Sequence, residues 1–287
     1  MALLFERMAI VGVGLIGGSL ARAVKQQGIV GEVLGVGRDA SRLEQAQRLG
    51  IIDTYAACFD ERLAGADMIV VATPVGMIVD LIRKMIPFLR GGTIITDVGS
   101  VKTAIVRQAE QCVPDDIFFV GAHPIAGTEN SGFEDSFATL FNDRKCILTP
   151  VARTDPGALA KIERLWSMVG ANVVRMDCEE HDLIFAAVSH LPHLVAYGMV
   201  NSLLTIEGFE ENIFSFSAGG FKDFSRIAAS HPEMWKDIAL MNKEKLLAAL
   251  TVFQDYLNEL KKAIASDDAE KLLAEFNRAR VFRRLLK

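Results

Sequence analysis

Short apolar runs alternate with amphipathic stretches through the first 177 residues. The runs are Met8–Val11, Val33–Val36, Met68–Ala72, Thr93–Asp97, Phe118–Gly121, Lys145–Thr149 and Asn172–Met176. Between them, apolar positions recur at helical spacing over Leu15–Gln27, Ser41–Leu49, Val75–Phe88, Lys102–Gln111 and Asp155–Met168. A strand without a polar side is covered on both faces, and repeated strand–helix alternation puts helices on each side of a mostly parallel sheet. The pattern predicts a doubly wound α/β domain over residues 1–177. Beyond Cys178 the strand signals stop, and Glu233–Lys287 holds neither Gly nor Pro. Leu246, Leu250, Phe253, Leu257, Leu260 and Ile264 step by 4, 3, 4, 3 and 4, a heptad-like stripe. Such a stripe serves either packing within its own domain or a subunit interface. Ser266-Asp267-Asp268, with Glu270 three residues after Asp267, predicts a helix stop followed by a capping box. Residues 178–287 are therefore expected to form an all-α second domain, with nothing left over for a third.

Composition narrows the class. A chain of 287 residues suits two domains at roughly 150 residues each. With 51% hydrophobic and 23% charged residues, disorder is excluded. A net charge of −5 and a pI near 5.6 argue against a nucleic-acid partner. Cys58, Cys112, Cys146 and Cys178 lie far apart, so neither a disulfide framework nor a Cys-based metal site is expected. No continuous run of 18 apolar residues suggests a membrane partner. The start, MALLFERM, is too short and too charged for a signal peptide. A reduced, soluble, cytoplasmic protein is the simplest expectation.

Gly12-Val13-Gly14-Leu15-Ile16-Gly17 fits G-x-G-x-x-G between a predicted strand and a predicted helix, the context that gives this pattern its meaning. Gly12 permits the tight turn, Gly14 lets the backbone approach a pyrophosphate, and Gly17 lets the helix lie close to the strand. The amides around Leu15 and Ile16 then face the phosphates at the helix N-terminus. A dinucleotide domain of the Rossmann type follows. The second strand ends in Val36-Gly37-Arg38-Asp39 rather than in an acid. Gly37 leaves space and Arg38 suits a 2′-phosphate, which tilts the reading toward NADP. Asp39, one or two positions late, reaches the ribose of NAD if the loop bends. The cofactor is expected to be NAD or NADP, with Thr73-Pro74 bordering its nicotinamide end.

Ser100, in Asp97-Val98-Gly99-Ser100-Val101-Lys102, and His123, in His123-Pro124-Ile125-Ala126-Gly127-Thr128, each follow a predicted strand and land at the sheet's carboxyl edge. An imidazole there is a natural proton acceptor, since its ordinary pKa lies near 6.5. Ser100 can hydrogen-bond that imidazole or hold a substrate hydroxyl; its plainer role is capping the next helix. In the helical half, Ser189-His190-Leu191-Pro192-His193 carries a Pro that should kink or break a helix. Histidines beside such a break line cavities. Gly219-Gly220 reads as a turn, with Arg226 following on a new helix. Arg grips carboxylates bidentately, and Trp235 is placed to wall the same pocket.

Four blocks together resemble the prephenate and arogenate dehydrogenase family of tyrosine biosynthesis: GVGLIGGS (12–19), TDVGSVK (96–102), HPIAGTENSGFEDS (123–136), and SHLPHLVAY (189–197) with AGGFKDFSRIA (218–228). The resemblance implies a Rossmann domain followed by a helical substrate-binding and dimerisation domain. It implies NAD(P)-dependent oxidative decarboxylation of prephenate, or of arogenate, by a homodimer. On it, His123 matches the general base and Ser100 its partner near the ring hydroxyl. Arg226 matches the grip on the ring carboxylate. On the resemblance, His193, Ser189, Thr128, Gly219 and Trp235 fall in the substrate pocket, with Trp235 a candidate for donation across the dimer. Gly37 departs from the family's common acid and counts against an NAD-only assignment. Two rivals are weaker. A 3-hydroxyacid dehydrogenase would carry a catalytic Lys on the first long helix of its second domain, and His181–Tyr197 has none. A non-catalytic dinucleotide sensor would not need His123, Ser100 and Arg226 together.

Overall fold

The computed structural model describes residues 2–127, 132–206 and 215–285. Eight strands form one sheet in the order β3-β2-β1-β4-β5-β6-β7-β8. They are β1 (Phe5–Val11), β2 (Val30–Val36), β3 (Thr54–Ala56), β4 (Met68–Val71), β5 (Ile94–Asp97), β6 (Phe118–Pro124), β7 (Lys145–Thr149) and β8 (Asn172–Arg175). All pairings are parallel except β6 with β7. Alternate residues feed two separate cores. Met8 and Ile10 of β1 join Met68, Val70, Leu20 and Trp166 on one face, while Ala9 and Val11 join Ile69, Val71, Ile78 and Ile105 on the other. Burial on both faces is why these strands read as continuous apolar runs. β3 escaped the sequence reading because three residues, Thr-Tyr-Ala, carry too little periodicity to register.

The helices α1 (Leu15–Gln27), α2 (Ala40–Arg48), α3 (Ile78–Met85), α4 (Thr103–Cys112) and α5 (Pro156–Met168) fall where expected, with the predicted Val75–Phe88 helix tightened at both ends. Strand order reverses between β1 and β4, so their carboxyl ends open a crevice, the usual ligand position in such sheets.

After β8, α6 (Cys178–Phe185) runs through a π-helical turn, Ala186–His190, into α7 (Leu191–Leu203). Pro192 was expected to kink or break this helix. It does not break it: the turn ahead of it, Ala186–His190, is π-helical, and the helix stays continuous over 26 residues. Its most apolar window has a mean hydropathy of 1.6, long and apolar enough to cross a membrane by composition alone. Glu179, Glu180, His181 and Asp182 occupy the first turns of this helix, however, and His181, Asp182 and His190 are buried within the fold. α8 (Gly219–Ser225) begins at the glycine pair, which therefore opens a helix rather than making a turn. Arg226 closes α8 and starts a short 3-10 segment, Arg226–Ala229, rather than lying on a new helix. α9 (Pro232–Met241) follows.

The chain divides into two compact units, Met1–Asn242 and Lys243–Lys287. The second unit is a pair of helices, α10 (Lys243–Ala265) and α11 (Ala269–Arg283). The stop lies at Asp267, in the left-handed region at φ 54°, and the cap is Asp268, whose carboxylate accepts the Lys271 N–H at 2.9 Å. The expected box at Asp267 is thus shifted by one residue. Lys271–Glu259 and Tyr256–Glu275 contacts link the two helices.

Candidate active site

The glycine loop is built as the pattern requires. Gly12 sits at φ +94°, and a Cβ there would lie 2.5 Å from the Ala72 carbonyl oxygen. A Cβ at Gly17 would lie 2.3 Å from the Gly12 oxygen and 2.9 Å from Ile10, so only glycine lets α1 close on β1. Gly14 is the N-cap of α1 and offers no side chain to its amides; Leu15 is buried and Ile16 partly so. Across the crevice, Thr73 Oγ1 is buried without a hydrogen-bond partner among the described residues. An uncapped helix N-terminus, a cradle that a Cβ would fill and an orphaned hydroxyl fit a bound dinucleotide. Pro74 turns the chain from this crevice into the 3-10 segment Val75–Met77. Arg38 is exposed. Asp39 caps α2, accepting the Arg42 N–H at 3.1 Å, so its carboxylate is engaged locally.

His123 lies on β6, beyond the carboxyl ends of β4 and β5. Its Nδ1 meets Nε2 of the buried His181 at 2.8 Å, and His181 Nδ1 meets Asp182 Oδ1 at 2.8 Å. Phe185 packs against both rings, 4.8 Å from His123 and 4.5 Å from His181. Burial, reinforced by the neighbouring His181 ring and the Lys102 ammonium, pushes the His123 pKa well below its usual value. Burial also lowers that of His181. Burial alone would raise the Asp182 pKa, but hydrogen bonds from His181 and from the Lys102 and Thr103 amides hold it below the usual carboxylate range.

Asp182 does a second job: its two oxygens accept the Lys102 and Thr103 N–H groups at 2.8 and 2.9 Å, capping α4 from α6. Ser100, expected either to cap that helix or to fix the imidazole, does neither among the described residues; it sits half-buried in the loop between β5 and α4. Beneath it, Lys102 is fully buried, its ammonium on the Asp97 carboxylate and 2.7 Å from the Ala122 carbonyl oxygen.

The helical side brings a second group. His193 donates from Nδ1 to the Ser189 carbonyl at 2.9 Å, and its ring stacks on Trp235 at 3.6 Å. Asn242 Nδ2 bonds both the Asp182 carbonyl oxygen, at 2.8 Å, and His190 Nδ1, at 3.1 Å. Burial pushes the His190 pKa down to about 4. α9 packs on the Val75–Met77 segment that follows the Thr73-Pro74 turn, and Trp235 packs against the core that includes Val71 and Val75. Gly219 and Arg226 are exposed at the two ends of α8. Thr128 lies outside the described residues.

A model of the nucleotide-binding domain of prephenate dehydrogenase matches residues 20–175, and a model of its dimerization domain matches residues 177–278. The chain belongs to the prephenate dehydrogenase family. Members of this family are oxidoreductases, and residues 20–175 are the family's nucleotide-binding part. Among its relatives is a cyclohexadienyl dehydrogenase from Zymomonas mobilis, 37% identical over 99% of this chain and 97% of the relative. A Bacillus subtilis prephenate dehydrogenase is 34% identical over 97% of this chain and 75% of its own length. The crystal structure of Aquifex aeolicus prephenate dehydrogenase with hydroxyphenyl propionate and NAD+ superposes with a TM-score of 0.93 at 37% identity, covering 98% of both chains. A Synechocystis arogenate dehydrogenase superposes at 0.82 with 29% identity, over 98% of this chain and all of its own.

Sequence reading placed His190 beside a cavity but missed His181, Asp182, Asn242 and the Asp97–Lys102 pair as parts of this candidate site. Asp97 and Lys102 stood within a quoted block but read as strand end and helix start. His181 and Asp182 lie 58 and 59 positions from His123, behind two glutamates that suggest a solvated first turn. The one available signal was a His-Asp dipeptide on an otherwise apolar helix.

Proposed function

We propose that this enzyme oxidatively decarboxylates prephenate to 4-hydroxyphenylpyruvate with NAD or NADP. The observation that supports this reading best is His123, at the sheet's carboxyl edge, with Nδ1 engaged by His181 and no hydrogen bond on Nε2 among the described residues. When bound, the nicotinamide accepts hydride from the hydroxyl-bearing ring carbon. His123 takes the hydroxyl proton at Nε2. Its lowered pKa keeps it neutral and able to accept at pH 7. Ser100 orients the same hydroxyl. Arg226 holds the ring carboxylate, and His193, Ser189, Thr128, Gly219 and Trp235 shape the remainder of the pocket. The ring ketone then serves as the electron sink for loss of carbon dioxide, and aromatisation makes the step irreversible.

Gly12, Gly14, Leu15, Ile16 and Gly17 hold the pyrophosphate, Thr73 and Pro74 border the nicotinamide, and Arg38 and Asp39 flank the adenosine ribose. The division at 177/178 separates this dinucleotide domain from a helical one that binds substrate and pairs two copies into a homodimer. Leu257 and Ile264, one heptad apart on the stripe of α10 and exposed in a single chain, support that pairing. The enzyme works as a soluble cytoplasmic protein.

Arogenate is the second reading, favoured by the structural likeness to the Synechocystis arogenate dehydrogenase. Steady-state kinetics with prephenate or arogenate, each with NAD or NADP, separates the readings. The highest kcat/KM is expected with prephenate; reduced nicotinamide from neither substrate would refute the proposal.

A further inference from the structure

We infer that His181 and Asp182 are positioning residues that lock His123 into one tautomer, with the proton on Nδ1 and the lone pair on Nε2 facing the substrate. The inference rests on the proton-accepting role proposed for His123.

The chain Asp182 Oδ1···Nδ1 His181 Nε2···Nδ1 His123 runs through two contacts of 2.8 Å each. Its polarity is set at the far end. The Asp182 carboxylate also accepts two backbone N–H groups, from Lys102 and Thr103, so it is held ionised and acts only as an acceptor. His181 Nδ1 must therefore donate. His181 is buried beside the Lys102 ammonium, which keeps its ring neutral, so its Nε2 has only a lone pair to offer. His123 Nδ1 must then donate to it. The catalytic ring is left with a bare Nε2, the one nitrogen that can take a proton. Were the ring in the other tautomer, Nε2 would carry a hydrogen and could accept nothing. Around His123 the facing groups are His181 and Phe185 of α6, Lys102 at the start of α4, and His190. None of them offers a competing acceptor to Nδ1. Phe185, packed on both rings, restrains their rotation. Because Asp182 also caps α4, the lock is tied to the helix that carries Lys102.

The test reads the tautomer directly, by long-range proton–nitrogen correlation on the whole protein labelled at its five histidines. The His123 signals are assigned by their loss in His123→Asn. The wild type is expected to show a protonated Nδ1 and a bare Nε2 on His123. A protonated Nε2 would overturn the inference, whatever the activity. Two variants extend the test. His181→Gln keeps an acceptor near the place of Nε2, and should retain the tautomer and most of kcat. His181→Leu removes the acceptor in an apolar side chain of similar bulk. It should release the tautomer and lower kcat on the order of 10²-fold, the scale of a misplaced general base, with KM unchanged. A merely structural role predicts no tautomer change and equal losses in both variants, and that result would also overturn it. If the wild-type tautomer is as inferred but no prephenate is turned over, the fault lies with the proposed reaction and not with the lock.

Discussion

The Lys102 ammonium rests on the Asp97 carboxylate, and neither side chain is exposed to solvent. Asp97 ends β5 and also accepts the Gly99 and Ala122 N–H groups at 2.9 and 3.0 Å, while Lys102 bonds the Ala122 carbonyl oxygen. One buried pair thus ties the β5–α4 loop, which carries Ser100, to the strand that carries His123. A buried charge is tolerated only while it is paired and hydrogen-bonded.

Removing one partner should therefore be costly. Lys102→Met leaves the Asp97 carboxylate buried beside an apolar side chain, and we expect a loss of about 3–5 kcal/mol of unfolding free energy. Urea denaturation of the cofactor-free protein measures it. A loss under ~1 kcal/mol, the range of exposed pairs, would show that the pair is not sealed from water.

Gly12→Ala should damage the cofactor site more than the fold. The new methyl would meet the Ala72 carbonyl oxygen at 2.5 Å in a backbone conformation that alanine disfavours. The loop must shift, displacing the amides that face the pyrophosphate. Titration calorimetry with NAD and NADP should show affinity falling at least ~10-fold, equivalent to about 1.4 kcal/mol. Unchanged affinity would remove this loop from the cofactor site.

Arg226→Ala should act on substrate binding. Arg226 is exposed, so its loss should cost far less stability than loss of a buried charge. A hydrogen bond to a charged group contributes about 1.5–3 kcal/mol. KM for prephenate should rise correspondingly, on the order of 10- to 10²-fold, with KM for the cofactor unchanged. An unchanged substrate KM would contradict the assigned role.

Acid should destabilise the protein through its buried imidazoles. His190 has a folded pKa of about 4, against an unfolded value near 6.5. Above pH ~6.5 it is neutral in both states and nothing is lost. Between about 6.5 and 4 the unfolded chain binds the proton and the folded chain does not, so stability falls as pH falls. Below that window both states are protonated and the loss levels off, at roughly 3 kcal/mol from this residue. The Asp182 carboxylate favours the proton, while burial and the neighbouring His181 and His193 oppose it more strongly. Burial shifts His123, His181 and His193 in the same direction. Urea midpoints measured from pH 7 to pH 5 should drop, and His190→Gln should flatten the slope. A flat wild-type profile would contradict this burial.

What the sequence disclosed follows from range. The glycine loop, the strand ends and His123 were legible because their meaning is local: a turn, a strand and a helix start in consecutive residues. Asp39 shows where local reading is double-edged, since the residue that could bind ribose also fits the N-cap that it forms. Pro192 shows its limit, because the helix runs on through a π turn past a residue that often ends one. The His181–Asp182 lock was hidden because it joins β6 to α6 across 58 residues, and no periodicity encodes which buried histidine meets which strand.

The most direct test of the account follows reduced nicotinamide and carbon dioxide together, with prephenate as substrate, in the wild type and in His123→Asn. The account predicts equal molar amounts of both products from the wild type. It predicts a folded His123→Asn protein that binds cofactor normally but turns over ~10²–10⁴-fold more slowly, the usual contribution of a positioned base. Near-wild-type turnover in His123→Asn, or reduced nicotinamide without carbon dioxide from the wild type, would contradict it.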